Sequence, residues 1–566
     1  VEVATAASNN NNNNANGTGS AAPPPEREPR EDDVQQWLFA NGVSSWDDMQ
    51  EQGSPHKFAV LWISDSDELN LPLPDSFDSV EGERFVSRYV AALLYFSLTG
   101  SEWDYQLSFL TGKDVCEWND IFVAAEGVQG RFFRIGLSCN NGIINTWQMP
   151  GINMQGTIPP EISYLSSLRV IAINDNKIQG TIPQGFQKMT DLDYLALQQN
   201  LFVGSMPDWM GDLRNVRVLG LGDNDLDGTL PNSLGKMTQL ITLGLDDNKF
   251  TGKITSQLQN LTSLRRLYVD GNVFVDNLDN VFDEMVELEE LDVSSNRLNG
   301  NVPLNLLQSS TLRILDLHAN ELGGPIPSNI TSNPVLNYLA LHDNLFTGVI
   351  PSSIANMNNL THLDLSSNVL AGDIPTRLSE LTNLKYLFLG SNELTPGPIP
   401  TWIGNFQDLK DLSFRETGRL DAIATEIGSL KNLRLLDLHN NGLTGPLPRQ
   451  LGELPNLRFL LLGRNQLTGT VPEDFELLTS LEVLMLNDNS FTGSVDGICT
   501  KGIIPSVFMA DCRGEVTCSC CTTCCVDTEE DCNEMNSVVA LDPIWENSFE
   551  RQFYEFGSEL IYDGRM

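Results

Sequence analysis

From about residue 143 the chain repeats itself, and the repeat dictates what it can fold into. Asparagine recurs at Asn176, Asn200, Asn224, Asn248, Asn272, Asn296, Asn320, Asn344, Asn368 and Asn392, each 24 residues after the last. After one step of 25 the series resumes through Asn441, Asn465 and Asn489, with Thr417 in the intervening place and Ile152 in the first. That makes fifteen repeats, thirteen of them anchored by Asn. Eight, five and three residues before the anchor every repeat is apolar, as Leu312, Leu315 and Leu317 are before Asn320.

The pattern implies a short strand whose alternate leucines point inward, followed by a turn. A buried Asn at that turn can both donate to and accept from backbone groups left without partners. Gly and Pro in the GxIP stretch shape the return leg. No repeat can bury its leucines alone, so neighbours must stack into one core, with a parallel sheet on the concave side. The expected fold is an α/β solenoid with a capping segment at each end.

Residues 1–32, with an Asn run and PPPEREPREDD, read as a disordered linker. Residues 33–142 read as a mainly helical N-terminal cap, residues 143–495 as the solenoid, and residues 496–566 as a Cys-rich cap with an acidic tail. The longest apolar run, Tyr89–Leu98, is shorter than the ~20 residues of a membrane span and reads as a core helix. No signal peptide is visible; an upstream signal or membrane tether before Val1 is compatible with the sequence.

Net charge is −41, from 34 basic and 75 acidic residues. Such an excess repels phosphate backbones and argues against nucleic-acid binding. The ten cysteines are Cys116 and Cys139, then Cys499, Cys512, Cys518, Cys520, Cys521, Cys524, Cys525 and Cys532. Disulfides in an oxidising compartment are the default reading, with zinc as the rival for the dense run. Cys116 with Cys139 would close the N-terminal end, and the second group the C-terminal end.

The motif LxxLxLxxNxLxGxIP resembles plant-type leucine-rich-repeat ectodomains, over about 350 residues. The segment RYVAALLYFSLTGSEWDYQLSFLTGKDVCEW, with its second cysteine in GLSCNNG, is similar to that family's N-terminal cap. ADCRGEVTCSCCTTCC looks like the C-terminal cap of microalgal, diatom-like surface proteins of the same repeat class. The resemblance implies a right-handed superhelix and a receptor-like protein, secreted or tethered at the cell surface. No kinase signature follows the repeats.

Candidate chemistry is sparse. GxSxG, HExxH and P-loop motifs are missing, so no enzyme and no cofactor are expected. DNDLDG at Asp223–Gly228 matches the start of an EF-hand loop, but Leu234 stands where a bidentate Glu is needed. Asp223, Asp246, Asp247 and Asp270 on neighbouring turns suit weak calcium binding better than an EF-hand, although a solvated acidic face is the favoured reading and no metal site is expected. His318, His342 and His439 share the slot two before the anchor. His318 and His342 could form a metal pair completed by Asp343 or Asp364, although surface histidines explain them as well.

Positions six, four, two and one before each anchor should face the concave surface. These sixty positions hold fourteen Asp or Glu, three Arg (Arg266, Arg415 and Arg464) and no Lys. A basic or cation-bridged protein, peptide or glycan ligand fits such a face. Tyr338, His362 and Tyr386 occupy one column on successive strands. With His342, Asp364 and Phe388 they are expected to form a solvent-facing binding patch. Asn260, Asn329 and Asn359 lie in return legs as glycosylation acceptors; Asn16 is a fourth sequon. The expected function is a cell-surface recognition module, with a structural or adhesive wall protein, calcium-assisted, as the alternative.

Overall fold

The computed structural model describes residues 30–123, 132–254, 256–331, 333–501, 505–512 and 516–525. Four helices come first: α1 Glu31–Ala40, α2 Trp46–Gln50, α3 Pro55–Leu61 and α4 Val80–Ser97. α1 begins inside the stretch read as linker, and its acidic first turn suits the positive end of a helix dipole. Ser45, Ser54 and Ser79 cap the other three, accepting from the backbone N–H of Asp48, Lys57 and Gly82. The apolar run predicted as a core helix is the buried C-terminal part of α4.

α4 also carries Arg88, buried between the rings of Trp62 and Trp118, each centred 5.0 Å from its guanidinium. Its Nε donates to Asp67 at 2.6 Å, and its other nitrogens donate to the carbonyls of Thr111 and Lys113. The desolvated charge is therefore paired and fully hydrogen-bonded.

Three strands lead into the solenoid: β1 Asn119–Val123, β2 Phe132–Asn140 and β3 Ile143–Gln148. β1–β2 and β2–β3 are antiparallel, while β3 pairs in parallel with Val170–Ala172 and so starts the concave sheet. Cys116 is bonded to Cys139. Ser44 and His56 both reach Glu161 Oε1, at 2.7 and 2.9 Å, fastening the helices to the first return leg.

Each later repeat adds one parallel strand in strict register, so Ile314, Tyr338, His362 and Tyr386 stand side by side. Their successors Leu315, Leu339, Leu363 and Leu387 point the other way and are fully buried. This is the period-two alternation of a strand with one face on the core. The sheet does not stop at the last Asn repeat. Val507–Ala510 and Thr523–Cys524 continue it inside the Cys-rich segment.

The Asn side chains bind across repeats. Asn320 Nδ2 lies 3.0 to 3.3 Å from the carbonyls of Leu317, His318 and Val293, and its Oδ1 accepts from Leu298 N–H at 2.9 Å. Two of these partners, Val293 and Leu298, belong to the preceding repeat. The same set recurs from Asn248 to Asn392. At Thr417 it fails: that hydroxyl reaches only Phe414 O, and the buried guanidinium of Arg419 takes Thr395 O and Thr417 O instead.

A second parallel sheet follows the turns. Gly324 lies in it at φ +71°, a left-handed conformation that glycine adopts without strain. Among the described residues this sheet has 11 strands up to Glu393–Leu394 and then restarts as 5 strands from Gly397–Pro398. The interruption coincides with the 25-residue repeat. Short 3-10 turns, most of them entered through a proline, form the return legs.

In the Cys-rich segment Cys499 is bonded to Cys520, Cys512 to Cys524 and Cys518 to Cys521. Cys525 is disulfide-bonded too, and Cys532 lies outside the described residues. Sulfurs in disulfides are not thiolate ligands. No helix among the described residues is long and apolar enough to cross a membrane.

Candidate functional site

The middle of the concave sheet gathers rings and carboxylates. Tyr338 stacks on His362 with centroids 4.3 Å apart, and His362 lies 5.3 Å from Tyr386 and 6.0 Å from Phe388. His318 and His342 stack nearly parallel at 4.4 Å in the adjoining column. Carboxylates flank both columns: His318 Nδ1 is 2.7 Å from Asp316, His342 Nδ1 is 3.5 Å from Asp364, and Tyr338 donates to Asp316 at 3.1 Å.

The six residues expected to form the patch are therefore together, but their exposure differs from expectation. Tyr338 and His362 are each only 8% exposed, Phe388 is 9%, and Tyr386, His342 and Asp364 are partly covered. They are not free solvent-facing anchors. Strand spacing of ~4.8 Å is close to ring-stacking distance, so aligned rings cover one another. Asp364 is the carboxylate beside His342, whereas Asp343 sits on the turn with φ +51° and is exposed.

Burial sets the electrostatics. It pushes His362 down to about 4, against the opposing pull of Asp364 and Asp316, so this imidazole is neutral at pH 7. It pushes Asp292 up to about 7, and the nearby charge of Asp316 adds to the rise. Burial would raise Asp316 also, but His318 and then His342 outweigh it and hold this carboxyl below its usual range.

A sign follows for stability. Folded Asp292 keeps its proton up to about pH 7, whereas the unfolded chain releases it near the ordinary carboxyl value of 3.8. Its contribution to stability is therefore lost as pH rises through that window. Asn cannot ionise, so Asp292→Asn should match the natural protein near pH 4 and exceed it by about 2 kcal/mol at pH 8, partial exposure limiting the gain. Urea unfolding at both pH values tests this; an equal difference at both would refute it.

The acidic count needs dividing. The residue just before each anchor adopts a left-handed turn, including Asp175, Asp223, Asp247, Asp343, Glu416 and Asp488 at φ between +44° and +56°. Asp, Asn, Ser and Gly tolerate that conformation, so six of the fourteen acidic residues stand at turn positions rather than on strands.

Two other features of this face escaped the four-position reading. Lys385, Lys410, Arg434 and Arg458 stand one residue before four successive strands, joined by backbone hydrogen bonds of 2.6 to 2.8 Å. Position seven before the anchor would have revealed them. Beside this column lies an apolar cluster on the concave side, including Phe388, Leu435, Phe459, Leu461, Val483 and Met485. Counting aromatics alone passes over its aliphatic members.

Oxygens of Asp223, Asp246 and Asp247 lie within 4.8 Å of one another, a spacing that can hold a cation; Asp270 is outside that group. Burial, then Asp292, Asp246 and Asp247, push Asp270 well above the ordinary carboxylate range. Asn260, Asn329 and Asn359 are exposed, though Asn359 donates its amide to Pro334 O. Asn16 lies outside the described residues.

Comparison with known proteins agrees with this architecture. The family model described as "Leucine-rich repeat region" matches residues 149–309 and 293–440, and "Leucine Rich Repeat" matches 432–454 and 456–478. No curated protein sequence matches. Among solved structures, the plant peptide hormone receptor RGFR1 in complex with RGF2 is 30% identical with a TM-score of 0.58, over 63% of this chain and 61% of that one. The PEPR1–AtPEP1 structure is 28% identical with a TM-score of 0.56, over 65% and 55%. The Arabidopsis receptor kinase HAESA ectodomain, with an IDA peptide hormone ligand, is 26% identical with a TM-score of 0.56, over 68% and 72%. The chain thus spans 61% and 55% of the first two relatives. More than half its length, residues 149–440 in two overlapping matches, fits one family model, and the chain belongs to the leucine-rich-repeat family.

Proposed function

We propose that this protein is an extracellular or cell-surface recognition module, receptor-like and non-enzymatic, that binds a peptide or protein along its concave face. The observation that carries the reading is the contiguous patch of Tyr338, His342, His362, Asp364, Tyr386 and Phe388 on a rigid sheet. Aromatic groups held in place lose little entropy on binding and make strong anchors. The peptide-hormone complexes among the structural neighbours support a peptide as ligand, and the disulfides support an oxidising compartment. Glu290, Asp292, Asp316 and Asp364 beside the rings favour a basic or cation-bridged segment of that ligand.

Screening a displayed peptide library against the intact chain should yield saturable binders. Tyr338→Ala with Tyr386→Ala and Phe388→Ala should weaken them about 100-fold, as loss of buried aromatic anchors does. Unchanged affinity in a variant with unaltered circular dichroism would refute the patch. The convergence of Asp223, Asp246 and Asp247 favours a second reading, a calcium-assisted adhesive wall component. Calcium-dependent self-association without peptide binding would select it.

A further inference from the structure

The apolar cluster on the concave side sits oddly on an open sheet. Val483 is 0% exposed and Met485 is 1%, yet both project from the side opposite the buried core residue Leu484. The described elements that border their strand are the strands on either side. Neighbours on adjacent strands shield one another in part, as Tyr338 and His362 do at 8% each; side chains as large as Val483 and Met485 at 0% and 1% are shielded further, which a cover over the sheet accounts for.

Three observations say what kind of cover fits. The cluster extends from Phe388 to Met509 across six strands, with Asp411 and Ser413 on the second of them, or about 24 Å at sheet spacing. Along it runs the column Lys385, Lys410, Arg434 and Arg458, in a protein that carries 75 acidic and 34 basic residues. Arg434 and Arg458 keep 37% and 36% of their side chains exposed, beyond their pairing with Asp411 and Glu482. The matching partner is a segment that is both acidic and rich in aromatics.

The chain supplies one. Cys525 is itself part of the cluster and is 1% exposed, so the backbone leaves the last concave strand at the patch. The 41 residues that follow, 526–566, hold eleven acidic and two basic residues, with Trp545, Phe549, Phe553, Phe556 and Leu560 among them. Some eight extended residues at ~3.3 Å each would cover the patch, so its length is ample.

We propose that residues 526–566 dock on the C-terminal half of the concave face as an intramolecular ligand, with their aromatics on the cluster around Phe459 and Val483 and their carboxylates toward the Lys385–Arg458 column. The segment borders Tyr386 and Phe388, so it competes with whatever reaches those rings from outside. The proposal does not depend on the identity of that outside ligand.

Amide hydrogen exchange on the intact chain tests it. Residues 533–566 should exchange about tenfold more slowly than the same sequence as a free peptide, as docked segments do. Two variants that leave the repeat core untouched should abolish the protection: Arg434→Glu with Arg458→Glu on the column, and Phe549→Asp with Phe553→Asp in the segment. Exchange at the free-peptide rate in the natural protein would overturn the proposal. So would protection that neither pair alters, which would place the segment elsewhere. Protection that grows with protein concentration would overturn it as well, because a second copy would then be the occupant.

Discussion

Asn320→Ala should lower stability by ~3 kcal/mol or more, because it strips partners from several buried backbone groups at once. The loss is not one hydrogen bond. Leu298 N–H loses its acceptor, and the carbonyls of Val293, Leu317 and His318 lose a donor, in a place where Asn320 itself is only 9% exposed. Water cannot readily replace the amide without opening the interface between two repeats. Asn320→Asp should also be damaging, since it keeps the acceptor and removes the donor. Urea denaturation followed by circular dichroism reads both, and a loss under about 1 kcal/mol for alanine would show that the ladder is redundant.

Arg88→Ala should cost the N-terminal helices ~3 to 5 kcal/mol, the range seen when one partner of a buried ion pair is removed. Asp67 would lose its guanidinium partner in a buried site, and the Thr111 and Lys113 carbonyls would lose their donors. Arg88→Met with Asp67→Leu should recover much of that loss, because desolvation offsets most of what such a pair contributes. Thermal unfolding of the two variants separates the ideas. If the double variant is no better than Arg88→Ala, the guanidinium acts through its contacts with Trp62 and Trp118 instead.

The solenoid was legible because periodicity reports side-chain direction, and a strand offers two directions only. Leu339 had to be buried if Leu315 and Leu363 were, since all three share one register. The concave face was harder to read. Sequence places Tyr338, His362 and Tyr386 in a column but does not say that rings on adjacent strands will cover each other. Likewise the acidic residues before each anchor look like surface charge until the left-handed turn explains them. Arg419 was opaque for a different reason: nothing in a repeat that has lost its Asn indicates that a guanidinium two residues further on will reach the carbonyls of Thr395 and Thr417. The strand Val507–Ala510 carries no anchor Asn of its own, and it was read as cap when it also extends the sheet.

Each anchor Asn ties its repeat to the one before it, and this chain of ties is broken once, at Thr417, where the second sheet also restarts. Residues up to Leu394 and residues from Gly397 onward are in this respect two arrays spliced end to end, sharing the concave sheet but not the other. Whole repeats can therefore be gained or lost on one side of the splice without changing how the two halves meet. The cationic column and the apolar cluster bridge this splice, since Lys385 and Phe388 stand before it and Arg434 and Phe459 after it.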